Sequence, residues 1–146
     1  MRLSIFGAGY VGAVSGACLS DLGHEVVLAD INRAKVDLIN NGQSPIVEKD
    51  LPEMISKNVA DGRLSATTDA AEAVAQSDVS IVCVGTPSKP NGDLNLGYVE
   101  AVCRQIGAEI AKKSTRHTVI IRSTMLPGSM QSVVIPTLEA ASGMAH

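Results

Sequence analysis

Aromatic side chains are almost missing from this sequence, which has one Phe, two Tyr and no Trp among 146 residues. Phe6, Tyr10 and Tyr98 are too few to build the stacking platform on which single-stranded nucleic acid rests. Cysteine is scarce too. Cys18, Cys83 and Cys103 lie far apart, form no C-x-x-C pair and are odd in number, so neither a disulfide nor a zinc framework is expected and reduced thiols in the cytoplasm are. No charge of one sign dominates: 12 basic against 15 acidic residues leave a net charge of -3, which gives no general attraction for nucleic acid. Long apolar runs are absent as well, because none approaches the roughly 18 residues of a membrane span, and glycines interrupt the run after Arg2 too early for a secretory signal. These absences leave a soluble, cytoplasmic protein that works on small molecules, with no nucleic-acid and no membrane partner.

What is present is material for one core. Hydrophobic residues make up 45% of the chain and charged residues 18%, which argues against disorder, and the length suits a single domain. Strand-like and helix-like runs alternate. Strands are expected at 2–6, 25–29, 64–67, 79–84 and 118–122, the last two buried, and helices near 10–22, 33–41, 49–60, 69–76, 96–112 and 129–141. Short Val/Ile runs, each followed by a helix, indicate parallel strands covered on both faces, and so a Rossmann-type, doubly wound α/β sheet. Such a fold has about six strands. Five are counted, so the sheet is expected to be truncated at its C-terminal side, leaving the edge of the fifth strand uncovered and the protein prone to associate with itself as a homo-oligomer.

The first loop carries the strongest signal. Gly7, Gly9 and Gly12 in "GAGYVG" fit G-x-G-x-x-G, and they follow a strand, open a helix and lie inside a strand-helix-strand unit. Gly7 allows a sharp turn, Gly9 lets a pyrophosphate approach the backbone, and Gly12 lets the helix pack closely on the sheet. The N–H groups of Tyr10 and Val11 then lie at the positive end of the helix, without intrahelical partners. Asp30 closes the second strand, where a carboxylate accepts ribose hydroxyls or, in the plainer reading, caps the next helix, a task Asn32 serves equally well. Near a 2'-phosphate, about 4 Å away, Asp30 would repel it by roughly 4 kcal/mol per unit charge at an effective dielectric near 20. NAD is therefore expected over NADP, with Arg33 and Lys35 offsetting part of the repulsion.

Other candidates are weaker. Thr86 and Thr124 follow strands four and five, on the rim where ligands cross an open sheet; position alone does not separate binding from structure. Asn91-Gly92 marks a tight turn. Cys18 falls on an apparent stripe of Val11, Val14, Cys18 and Leu22, Cys83 lies in a strand and Cys103 on an apolar helix face, so all three are expected to be core thiols. His24 and His117 have no serine or carboxylate at a suggestive spacing and are expected in surface or turn roles.

Taken together, "SIFGAGYVGAV", "GHEVVLAD", "KVDLINNGQSPIVE", "VCVGTPSKPNGDLNLGYVEAVCRQIG" and "HTVIIRSTMLPG" resemble the N-terminal domain of the UDP-glucose/GDP-mannose dehydrogenase family, and they cover almost the whole chain. The "VGTPSKPNGDLNLGYVE" wording is most similar to the branch that makes GDP-mannuronate for alginate-type polysaccharides. The resemblance implies oxidation of a sugar C6 alcohol to a carboxylate in two NAD-dependent steps. It implies NAD contacts at Tyr10, Val11, Asp30, Lys35, Thr86 and Thr124, with Thr124 on the nicotinamide side, where it would help position a catalytic water. It also implies that the catalytic cysteine, the central helix and the nucleotide-sugar domain lie beyond residue 146, so that the chain is an NAD-binding domain, inactive alone, that meets a nucleotide sugar only through the part not present. Two alternatives stand beside this one: another NAD-dependent dehydrogenase with the same glycine turn, and a nucleotide-binding module without chemistry.

Overall fold

In the computed structural model, which describes residues 1–145, the apolar runs become strands of one sheet. β1 (Arg2–Phe6) is buried from Leu3 to Phe6, as a strand covered on both faces should be. It is the centre of five parallel strands ordered β3-β2-β1-β4-β5, with β2 at Glu25–Ala29, β3 at Leu64–Thr67, β4 at Val79–Val82 and β5 at Thr118–Ile121. The chain runs from β1 out to β3 and then returns to β4 on the other side of β1. The strand order therefore reverses between β1 and β4, and a crevice opens there at the carboxyl ends. The expected doubly wound α/β fold is present.

Alternation along the strands divides the core. Leu3, Ile5, Val26 and Leu28 point to one face, under α1 (Tyr10–Asp21), α2 (Arg33–Asn40) and α3 (Leu51–Ala60). Phe6, Ala29 and Val82 point to the other, under α4 (Ala70–Ala75), α5 (Gly97–Ile110) and α6 (Ile135–Ser142). Asn32 and Asp69 start α2 and α4 by accepting the N–H groups of the first turn. The helix expected at 129–141 is divided: Met130–Val134 is a π-helical turn and α6 follows it, with Pro136, which has no N–H to donate, in the first turn of α6.

Two expectations are corrected. The inner face of α1 is Gly12, Ala13, Gly16, Ala17 and Ser20, not the stripe of Val11, Val14, Cys18 and Leu22. Leu22 is 76% exposed, and Cys18 is only half-buried, so it is not a core thiol. Residue size rather than hydropathy selects the face: a methyl group on Gly16 would already be 3.2 Å from the Leu28 side chain. The run at β5 is not buried either. β5 is an edge strand in which Val119 and Ile121 pack toward α5 and α6, while Ile120 on the opposite side is 45% exposed.

Among the glycines the least room is at Gly12, where a Cβ would lie 1.8 Å from the carbonyl oxygen of Gly7. Because both partners are backbone, Gly12→Ala is expected to cost about 3 kcal/mol or more. Thermal unfolding measures this, and an unchanged Tm would contradict it.

Candidate functional site

The three glycines are not equivalent. Gly7 has φ +102, donates its N–H to Ala29 at 2.8 Å and would bring a Cβ to 3.0 Å from the Cys83 carbonyl. Together with Gly12 it is required by the fold. Gly9 is different: it precedes α1 with φ -81 and ψ -164, which any residue adopts, and a Cβ there would meet nothing within 4 Å. The space above Gly9 adjoins a helix start that has no side-chain cap and no acidic residue in its first turn. The N–H groups of Tyr10 and Val11 therefore face an open position suited to an anion.

Asp30 is built into the same turn. Its carboxylate accepts the Ala8 N–H at 2.6 Å with one oxygen and the Asn32 N–H at 2.8 Å with the other. Asn32 is the cap of α2, so capping does not account for Asp30. Each carboxylate oxygen keeps acceptor capacity for a hydroxyl. Arg33 is turned to Asp37 at 3.1 Å, which leaves Lys35 as the cation that lines the cleft with Asp30.

The cleft itself, about 410 Å³, is walled by Gly7, Gly9, Asp30 and Lys35 on one side and by Gly85, Tyr98, Val102 and Gln105 on the other. The second wall was not anticipated. Tyr98, Val102 and Gln105 recur at helical spacing, but only knowing that Val99, Cys103 and Ile106 face the core shows that this stripe turns to the cleft. Thr86 and Thr124 are not among the residues that line the cleft; the Thr86 hydroxyl donates to the Thr124 carbonyl at 2.9 Å, and Ser123 Oγ donates to the Val84 carbonyl at 2.6 Å. The two loops after β4 and β5 are thus fastened to each other. Gly92 has φ +88 in the expected tight turn.

Tyr10 and Val11 are not among the residues that line the cleft. Their side chains line a separate hollow with Val14, Cys18, Met54 and Arg122. There the Tyr10 hydroxyl donates to Glu48, which holds the phenol above its ordinary range, and to the Val47 carbonyl at 3.2 Å. Cys83 is not the strand-buried core thiol expected: β4 ends at Val82, and Cys83, half-buried, lines the cleft with its thiol pushed up by burial; Cys103 is a core thiol, pushed up to about 11 by burial and by Glu100. His117 is not in a plain surface role: Nε2 lies 2.8 Å from Ser80 Oγ and Nδ1 3.2 Å from Lys113 Nζ, at the end of the sheet away from the cleft. Among the described residues no three potential ligands cluster to hold a metal ion.

A crevice at the strand-order reversal, a glycine turn opening onto an uncapped helix and a carboxylate after β2 define a dinucleotide-binding α/β domain. Residues 1–146 match the UDP-glucose/GDP-mannose dehydrogenase family in its NAD-binding domain, and the chain belongs to that family. It is 59% identical over 143 residues to GDP-mannose 6-dehydrogenase of Pseudomonas aeruginosa, covering 98% of this chain and 33% of that protein. With UDP-glucose 6-dehydrogenase AglM of Haloferax volcanii the identity is 39% over the same shares. Among solved structures, a ternary complex of GDP-mannose dehydrogenase from Pseudomonas aeruginosa superposes with TM-score 0.98 at 59% identity, covering 99% of this chain and 33% of that one. A UDP-glucose dehydrogenase from Pyrobaculum islandicum superposes with TM-score 0.94 at 38% identity, covering the same shares. The chain spans about one third of the length of these relatives.

The burial of Cys103 predicts how the thiols react. With its thiol pushed up to about 11, Cys103 is expected to stay unmodified when the native protein is treated with iodoacetamide at mildly alkaline pH, and to react once the chain is unfolded. Peptide mass spectrometry measures this, and native labelling at Cys103 as fast as at half-buried Cys18 would contradict it.

Proposed function

We propose that this domain holds NAD with its pyrophosphate over Gly9, on the N–H groups of Tyr10 and Val11, and its adenosine ribose on the Asp30 carboxylate. Lys35 stands beside that ribose, Thr86 near the middle of the cofactor and Thr124 on the nicotinamide side. One observation carries the reading: at Gly9 the fold itself has no need of glycine, while the space beside it is open. NAD, once bound, supplies a hydride acceptor. The chain's own residues bind and orient it, and the bonds Thr86–Thr124 and Ser123–Val84 hold the rim against which it lies.

The parent reaction we propose is the two-step NAD-dependent oxidation of GDP-mannose to GDP-mannuronate, because the 59% identical relatives are named GDP-mannose 6-dehydrogenases. Residues 1–146 serve as its cofactor domain and have no dehydrogenase activity alone, since the thiol that lines the cleft, Cys83, is pushed up rather than activated. The nucleotide sugar is bound by the part of the parent that this chain does not span. The open edge of β5 and exposed Ile120 support association of the chain with itself. Free thiols support a cytoplasmic setting, and no helix among the described residues is long and apolar enough to cross a membrane.

Calorimetric titration tests the cofactor reading in two variants. Gly9→Val is expected to stay folded, losing about 1 kcal/mol of stability as a poorer N-cap of α1, yet to lose NAD binding; a folded variant that binds NAD like the parent would overturn the pyrophosphate assignment. Asp30→Ala is expected to narrow the preference for NAD over NADP by about tenfold or more, and to cost about 1–3 kcal/mol because the Ala8 N–H loses its acceptor. An unchanged affinity ratio would leave Asp30 a purely structural role.

A further inference from the structure

At the end of the sheet opposite the cleft, three serines meet with almost no exposure: Ser4 and Ser80 at 0% and Ser77 at 1%. Ser80 Oγ lies 2.7 Å from Ser4 Oγ, and Ser77 donates to Ser4 at 2.9 Å. The chain of hydroxyls continues to His117 Nε2, 2.8 Å from Ser80 Oγ, and from His117 Nδ1 to Lys113 Nζ at 3.2 Å. Lys113 lies just past the end of α5, where it also donates to the carbonyls of Val74, at 2.9 Å, and Ser77.

Proton bookkeeping settles the direction of every bond. An ammonium only donates, so His117 Nδ1 must accept, and the ring must therefore be neutral with its proton on Nε2. Nε2–H then donates to Ser80, Ser80 to Ser4, and Ser4 to the Val79 carbonyl at 3.5 Å. A second ring proton would face the Lys113 ammonium, and the Ser77 backbone and Asp78, which favour that proton, offset this only in part. The other charged group acting on this ring is Asp78, on the turn into β4, which is itself paired with Arg2 of β1 at 2.8 Å.

This chain of bonds joins β1, β4 and α5 to the residue just before β5, an edge strand that pairs only with β4. We infer that Lys113, His117, Ser80, Ser77 and Ser4 form a pH-sensitive clasp that fixes the start of β5 while His117 is neutral and releases it when His117 is protonated. Burial and Lys113 both favour the neutral ring, holding His117 below its ordinary 6.5. The clasp is therefore fully closed above that value and is lost as pH falls through the lower native one. β5 leads directly to Ser123 and Thr124, so release also loosens the loop after the strand.

Nuclear magnetic resonance of the chain tests the clasp directly. Long-range ¹H–¹⁵N spectra at neutral pH are expected to show His117 with its proton on Nε2, and titration should place its midpoint below 6.5. As pH falls from 6.5 toward that midpoint the amide protection factors of Thr118, Arg122 and Ser123, corrected for intrinsic exchange, should fall by up to about tenfold per pH unit and then level off. His117→Gln keeps a donor toward Ser80 and an acceptor toward Lys113 but cannot titrate, so its β5 protection should not follow pH. An Nδ1–H ring, a midpoint at or above 6.5, or equal acid loss of protection in parent and variant would each overturn the inference. If the variant does not fold, the proton position and midpoint in the parent decide alone.

Discussion

A methyl group on Gly12 would lie 1.8 Å from the carbonyl oxygen of Gly7, and the placement of α1 follows from that backbone-to-backbone approach. Because the first turn of the helix is drawn against the end of β1, its N-terminus opens at the reversal of strand order. The same closeness decides which face of α1 turns inward. Glycine and alanine take the fully buried positions, while Val14 and Leu19 pack only at the margin of the core and Val11 is exposed.

Asp30 adds the second constraint. By accepting the Ala8 and Asn32 N–H groups it ties the end of β2 to the glycine turn, so the carboxylate is held at a fixed distance from the helix start. One residue thus shapes the loop and presents negative charge to whatever enters the cleft. Rigidity matters here, because a carboxylate with both oxygens engaged cannot swing away from an additional phosphate. In the proposed cofactor reading, discrimination between NAD and NADP is a property of the turn as well as of the charge.

Elements with strong local signals were legible in the sequence. The five strands begin where the sequence places them, at Arg2, Glu25, Leu64, Val79 and Thr118, and Asn32 caps α2, because both depend on a few adjacent residues. The glycine spacing and Asp30 were legible for the same reason. What escaped depends on approach distances between distant segments. Hydropathy put Cys18 inward, whereas it is only half-buried and the close-packed face belongs to Gly12 and Gly16. His117 showed no partner at a suggestive spacing, yet the fold brings Ser80, 37 positions away, to hydrogen-bonding distance. The wall formed by Tyr98, Val102 and Gln105 became visible only once the buried face of α5 was known.

The account rests on Gly9 being open for a ligand rather than for the fold, and the backbone amides beside it report on that directly. In a titration of the ¹⁵N-labelled chain with NAD, the largest amide shifts are predicted at Tyr10 and Val11, with adenosine monophosphate reproducing the changes around Asp30 and Lys35. Saturable NAD binding that leaves the Tyr10 and Val11 amides unmoved would contradict it.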